Sequence, residues 1–375
     1  MASHHILHIR DSSDIYGGER VILTLGKNMV RRGLFDVSLL CMRRPDGRSE
    51  ALISSARKLG ITVHPVDVNG RLDPAAILQI RSYIRNKKVS LIHTHDFKSD
   101  FYGIWSTLNL GVMRVTTAHG STRDSLVKKL YLFFDEYLAY RSYDRIIAVS
   151  EELRDQLLKK RVAQDKIEVI QNGLDVDLLS LNQDVAEPPL PLMKRPGMRI
   201  FGVIGRLYPD KGQAAFLQAF APIAAEDPGC FGVIVGDGPE RENLAQLINA
   251  LHLNGRVYLC GVRKNIKTIY DLIDYLVIPS FTEGLPYVLL EAMASRIPVL
   301  ATAVGDIPLL IQDGVTGYLV PAGDHEAMIL RMRDLLTQPE QGSSMARRGR
   351  DLVEERFSAH RMVEQTEQLY NSILS

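Results

Sequence analysis

The chain has 375 residues, 46% of them apolar and 24% charged, with a formal net charge of +1. That length has room for two cores, and the composition is that of a soluble globular protein. No apolar run reaches 18 residues, which excludes a membrane-spanning helix, and the opening Met1–Arg10 has no secretory h-region, so a cytoplasmic protein is expected. The charge is uneven: residues 1–181 carry 27 Lys+Arg against 21 Asp+Glu, the remainder 18 against 23. A basic front half suits an anionic partner such as a phosphate-bearing lipid or a bilayer surface, although compositional scatter gives the same count. Cys41, Cys230 and Cys260 are odd in number and far apart in or beside apolar runs, which reads as buried thiols.

In chain order, Ile6–Arg10 reads as a strand, Gly18–Arg32 as a helix and Asp36–Met42 as a strand. The alternation continues through strands at Val89–Thr94, Met113–Ala118 and Arg145–Val149. A polar, proline-rich stretch from Asn182 to Pro191 reads as a linker. Strands then recur at Ile200–Gly205, Phe231–Val235, Val257–Cys260, Tyr275–Ile278 and Val299–Ala301, and a last helix covers about Ala359–Ile373. Apolar strands alternating with helices predict α/β domains, each a parallel sheet covered on both faces, with ligands collecting at the carboxyl ends of the strands.

Two stretches carry chemistry. In Gly205-Arg206-Leu207-Tyr208-Pro209-Asp210-Lys211-Gly212 a glycine ends a buried strand and two cations lie five residues apart across a turn. A guanidinium fork and a compact ammonium can grip a diphosphate from two sides and stabilise it as a leaving group; two surface cations beside a turn is the plain alternative. In Glu283-Gly284-Leu285-Pro286-Tyr287-Val288-Leu289-Leu290-Glu291 a turn leads into an apolar helix with Pro286 at its first position. The N–H groups at that start form an anion site. Glu291, one to two turns on, can accept two hydroxyls of a diol such as ribose, and Glu283 stays on the turn near whatever the phosphate carries. An ordinary capped helix with one exposed Glu fits the spacing as well.

Metal motifs are weak. Asp175-Val176-Asp177 lies in the Asn172-Gly173 turn, and His93 and His95 share a strand face with no third ligand nearby in sequence. No metal is expected. His95 and Asp96, at a strand's carboxyl end, are acceptor-side candidates. The stretch Leu126–Leu138, apolar at helical spacing around Lys128 and Lys129, suits either a membrane interface or packing on its own sheet.

The stretch Pro279-Ser280-Phe281-Thr282-Glu283-Gly284-Leu285-Pro286, then Leu290-Glu291-Ala292-Met293-Ala294, resembles the retaining glycosyltransferases of family 4 and their Glu-seven-Glu motif. Gly17-Gly18-Glu19, His119-Gly120, Asn172-Gly173-Leu174-Asp175, Gly205-Arg206 with Lys211-Gly212, and Gly236-Asp237-Gly238-Pro239 follow the family's order. The resemblance implies two doubly wound Rossmann-like domains facing a cleft (GT-B). Residues 1–181 with a returning helix over 358–375 would bind the acceptor, 182–199 would link, and 200–357 would bind the donor. It implies catalytic roles for His119, Glu283, Arg206 and Lys211, with Arg206 and Lys211 holding the diphosphate without a metal. Donor contacts would come from Gly17, Gly18, Gly236, Arg263, Gly284, Leu285, Pro286, Tyr287, Val288 and Glu291.

The expected activity is transfer of a sugar from a UDP- or GDP-sugar to a glycan or lipid-linked acceptor in cell-surface polysaccharide or glycolipid synthesis, with retention. No cofactor and no nucleic acid are expected, and peripheral contact with an anionic membrane is. An epimerase or hydrolase on the same scaffold would need its own acid/base carboxylates. A non-catalytic nucleotide-sugar-binding subunit would be expected to lose Arg206, Lys211 or Glu283. A dehydrogenase lacks its Gly-x-Gly-x-x-Gly. Arg296, Asp306 and Leu309 depart from the family pattern.

Overall fold

A computed structural model describes residues 4–11, 17–43, 49–70, 72–118, 140–180 and 187–375. The chain divides into two compact units, Met1–Gly173 with Ser358–Ser375, and Leu174–Phe357. The expected boundaries were 181 and 200; the division falls at Gly173, whose Cα is packed so closely that a Cβ there would meet the Ser358 carbonyl oxygen at 2.5 Å.

The first unit holds seven parallel strands: β1 His5–Asp11, β2 Asp36–Arg43, β3 Thr62–Asp67, β4 Val89–Thr94, β5 Met113–Ala118, β6 Arg145–Ala148 and β7 Ile167–Val169. Their order is β3-β2-β1-β4-β5-β6-β7. The second unit has β8 Arg199–Ile204, β9 Cys230–Val235, β10 Val257–Leu259, β11 Tyr275–Ile278, β12 Val299–Thr302 and β13 Tyr318–Val320, ordered β10-β9-β8-β11-β12-β13. Each sheet runs outward in both directions from a pair of central strands, β1 and β4 in one, β8 and β11 in the other. Such a reversal opens a crevice at the carboxyl ends of those two strands, where this class of sheet binds its ligands.

The central strands are apolar and buried on both faces, as parallel sheets under helices require. In β1, Ile6, Leu7 and Ile9 are fully buried; in β8 and β11, Ile200, Phe201 and Leu276 are. Three strands absent from the sequence reading, β3, β7 and β13, are all sheet edges. Exposed or half-buried residues interrupt β3 and β7, β3 also contains Pro65, which an edge tolerates, and β13 is only the three apolar residues Tyr318-Leu319-Val320.

The last helix, Ala359–Leu374, belongs to the first unit. Tyr370 is fully buried there, its hydroxyl 2.5 Å from His93 Nδ1 on β4, and Glu367 Oε2 lies 3.1 Å from Arg32 Nε at the end of the helix Gly17–Arg32. The three cysteines are buried and unbridged; burial pushes the Cys41 thiol up to about 12 and Cys230 up to about 11. No described helix is long and apolar enough to cross a membrane.

Candidate active site

The second unit's crevice lies between the ends of β8 and β11. The chain leaves β8 through Gly205 and Arg206, forms a short turn Pro209–Lys211 and enters the helix Gln213–Glu226 at Gly212. It leaves β11 through Pro279 and Ser280 toward Glu283 and the helix Tyr287–Ala294. The two loops are laced together: Phe281 N–H donates to the Asp210 carbonyl at 2.8 Å. The β8 loop is also tied to the β9 loop, Leu207 N–H donating to the Asp237 carbonyl at 2.9 Å and Gly205 N–H to Val235 at 2.9 Å.

Two glycines permit this closeness. Gly212 has φ +68° and a Cβ there would meet the Pro279 carbonyl oxygen at 2.0 Å; Gly305 has φ +55° and would meet the Glu283 carbonyl oxygen at 2.0 Å. Neither the backbone angle nor the space admits a side chain.

This lacing brings two sequence-expected residues together. Lys211 Nζ lies 2.9 Å from Glu283 Oε2, with 18% and 12% of the two side chains exposed. The other carboxylate oxygen, Oε1, accepts from the Ser280 hydroxyl at 2.7 Å. Arg206, on the same loop as Lys211, is exposed, stacks its guanidinium 5.0 Å from the Tyr208 ring centroid, and makes no ion pair with a described residue. One loop thus presents an uncommitted fork beside an ammonium that is neutralised by the neighbouring loop.

Glu291 lies in the buried face of its helix, 1% exposed, its Oε2 accepting from the Tyr270 hydroxyl at 2.6 Å. A ribose reaching this carboxylate must share or replace that bond. Pro286 is the residue before the helix, at φ −74° and ψ 126°, not its first turn residue as expected. Its extended ψ places it outside, while its carbonyl still takes the first turn's bond from Leu289 N–H at 3.0 Å. Gly284 is exposed; Leu285, Pro286, Tyr287 and Val288 are half-buried. Gly236 sits at φ +139° at the end of β9, its N–H donating to the Gly261 carbonyl at 2.9 Å. The Arg263 guanidinium donates to the Cys260 carbonyl at 3.0 Å and the Pro188 carbonyl at 2.5 Å, fastening the segment that leads into the unit.

In the first unit, the crevice between β1 and β4 holds Arg10, Glu19, His95 and Asp96. Gly17 opens the helix that carries Glu19, and a Cβ on Gly18 would meet the Arg10 guanidinium at 3.0 Å. Arg10 donates to Glu19 at 3.0 Å and to the His95 carbonyl, and lies 3.6 Å from Asp96. Asp96 caps the helix Phe97–Thr107 through Ser99 N–H at 2.9 Å and accepts from Asp11 N–H at 2.9 Å. Both acceptor candidates therefore carry structural work.

His95 Nε2 is 2.9 Å from His8 Nδ1, and His93 meets Thr117 Oγ1 at 2.7 Å and Tyr370. The third imidazole that sequence proximity did not supply comes from β1, because His8 and His93 are register partners across the parallel pair. The three rings offer nitrogens within 4.8 Å of one another. They bond to one another and to hydroxyls, with ring centroids 4.1 to 5.2 Å apart. Burial brings His8 down to about 4, so its ring is neutral. His119, Gly120 and the stretch 126–138 with Lys128 and Lys129 lie outside the described residues.

Arg10, Ser280 and Tyr270 had no signal of their own in sequence. Each matters through a partner 9 to 85 positions away, apart from Ser280, whose three-residue offset from Glu283 a turn motif does not announce.

Comparison with known proteins agrees with this layout. The profile described as Glycosyltransferase Family 4 matches residues 15–178, and that described as Glycosyl transferases group 1 matches residues 191–352. The chain is 26% identical over 306 residues to the Escherichia coli UDP-Gal:alpha-D-GlcNAc-diphosphoundecaprenol alpha-1,3-galactosyltransferase, covering 79% of this chain and 78% of that one. Over 158 residues it is 37% identical to N-acetyl-alpha-D-glucosaminyl L-malate synthase of Bacillus anthracis, covering 42% of this chain and 41% of that one. Among solved structures, Anabaena HepE in complex with UDP-glucose matches with a TM-score of 0.82 at 21% identity, over 98% of this chain and 99% of that one, a likeness of fold. With a family 4 profile on its first half, a group 1 profile on its second and a doubly wound sheet in each, the chain belongs to the GT-B glycosyltransferases of family 4 type.

Proposed function

We propose that this glycosyltransferase moves a sugar from a UDP- or GDP-sugar to a glycan or lipid-linked acceptor with retention of configuration and without a metal. The observation that carries the reading is the meeting of Lys211 and Glu283 at 2.9 Å in the β8/β11 crevice, with Arg206 exposed on the same loop. Arg206 and Lys211 would hold the donor diphosphate, and as the glycosidic bond breaks they would stabilise the charge growing on it more than the charge it starts with. Two cations carried on one loop would supply the role a divalent ion plays elsewhere. Glu283 would bind the transferred sugar, joined by His119, and Glu291 the ribose. The leaving diphosphate would assist deprotonation of the acceptor hydroxyl on the same face of the sugar, which gives retention.

The nucleotide-sugar donor is supported by HepE, solved with UDP-glucose, and by the E. coli relative, whose name specifies a UDP-Gal donor and a diphosphoundecaprenol-linked acceptor. The basic first half, 27 Lys+Arg against 21 Asp+Glu over residues 1–181, favours an anionic or membrane-borne acceptor and a peripheral place at the inner membrane face.

A thermal-shift screen over UDP- and GDP-sugars tests the donor, since a ligand that binds only the folded form raises Tm. One nucleotide sugar should stabilise the protein, and Arg206→Ala should abolish the shift; no shift with any member of the panel would refute the donor site. Co-sedimentation with anionic vesicles at low salt, lost as salt rises, tests the membrane half separately.

A further inference from the structure

Glu283 is held from both sides by groups of different kind. Ser280, 2% exposed, donates its hydroxyl to Oε1 at 2.7 Å. That serine is itself fixed: Thr302, fully buried at the end of β12, donates to the Ser280 carbonyl at 2.6 Å. Lys211, on Oε2 at 2.9 Å, is instead the tip of a long rotatable arm. A diphosphate offers that ammonium more charge and more acceptor oxygens than one carboxylate does, but being acceptor-only toward Glu283 it cannot take over the serine's place.

We infer that Glu283 is an exchangeable counter-ion of Lys211, and that Ser280 is the positioning residue that keeps its carboxylate in place when the donor diphosphate takes the lysine. Resting on the donor site proposed above, this adds a cycle to it. In the ligand-free protein the carboxylate neutralises Lys211. Donor binding breaks that pair, and the loss is offset only when a sugar is present whose hydroxyls donate to the freed Oε2. After transfer the sugar is gone, Glu283 returns to Lys211, and the nucleoside diphosphate is left competing with it. The intact donor is thereby favoured over the spent one, and product release is assisted.

The test is calorimetric titration of UDP and GDP into the wild type and into Glu283→Gln, Ser280→Ala, Ser280→Thr and Arg206→Ala, with kinetics of nucleoside diphosphate release from the nucleotide sugar. Glu283→Gln should bind the free nucleoside diphosphate more tightly than the wild type, by roughly 3- to 10-fold, the size of a partly exposed ion pair. Ser280→Ala should lower kcat at least about tenfold with KM nearly unchanged, as loss of an interaction made at the reacting sugar does. Ser280→Thr, which keeps the hydroxyl, should regain most of that kcat. Glu283→Gln binding no more tightly than wild type would overturn the exchange. Wild-type kcat in Ser280→Ala, or equal loss in the Ala and Thr variants, would overturn the positioning role. If neither UDP nor GDP binds the wild type, or if both bind Arg206→Ala equally well, the donor site itself is wrong.

Discussion

Arg206 and Lys211 differ in what each has to give up. Arg206 is uncommitted apart from its stack on Tyr208, whereas Lys211 is already paired with Glu283. Replacing either by Ala should cost roughly 100-fold or more in rate, a few kcal/mol of transition-state stabilisation, read in kcat/KM. Activity should persist in EDTA; strict dependence on added magnesium or manganese would contradict a clamp built from these two cations. Glu291→Ala should weaken binding of the free nucleoside diphosphate, and Tyr270→Phe, which removes the 2.6 Å bond without opening a cavity, should weaken it less. Equal affinity in all three proteins would take the ribose away from Glu291. The loop positions of Arg206, Lys211 and Glu283, and the helix that carries Glu291, were legible in sequence because apolar strands and an apolar helix bracket them. What held them was not. Gly212 and Gly305 matter for what stands opposite them, and Ser280 and Tyr270 for an oxygen that only the folded crevice supplies.

Among the elements, the helix Tyr287–Ala294 ends close to Arg296, one of the residues that depart from the family pattern. Arg296 is left-handed at φ +57°, its N–H donating to Met293 at 3.0 Å while Ile297 N–H reaches back to Ala292 at 2.9 Å. This is the double-bonded helix ending that ordinarily carries glycine at the Arg296 position. Arg296→Gly should therefore stabilise the protein by about 1 kcal/mol and raise Tm by roughly 2–4 °C. An unchanged or lower Tm in a calorimetric scan would show that the arginine side chain returns what its backbone costs. The central strands were readable through their buried apolar residues, and Val89–Thr94, Met113–Ala118 and Tyr275–Ile278 coincide with the sequence reading even where Ser90, His93 and Arg114 interrupt the run. The edges β3 and β7 escaped because exposed or half-buried residues interrupt them, and β13 because three apolar residues are too short to read as a strand.

Across the whole molecule, pH acts through groups buried in the first unit. His8 is held neutral by burial at about 4, below the 6.5 of an exposed imidazole. Between these values the unfolded chain binds a proton that the native protein does not, so this group's contribution is complete above 6.5 and is lost as pH falls toward 4. Asp100, raised to about 7 by burial although the Thr94 and Thr116 hydroxyls that donate to it act to lower it, works in the opposite sense, disfavouring the folded state as pH rises from 3.8. The two nearly mask each other in the wild type. In His8→Gln the mask is lifted: its stability deficit at pH 7.5 should shrink by roughly 2–3 kcal/mol at pH 4.5, measured by urea unfolding. A deficit independent of pH would mean that the native protein takes up the His8 proton as readily as the unfolded chain does.

The bond between His93 and Tyr370 joins residues 277 positions apart, and the unit they share is interrupted by all of Leu174–Phe357. A ribosome adding about 5–20 residues per second spends some tens of seconds between the two. Once β7 ends at Val169, and until the helix Ala359–Leu374 is made, the first sheet is complete in sequence but lacks the helix that covers His93 and takes Arg32's charge, while the second unit, contiguous in the chain, is free to finish. The half of the enzyme that is made first is thus the half that matures last.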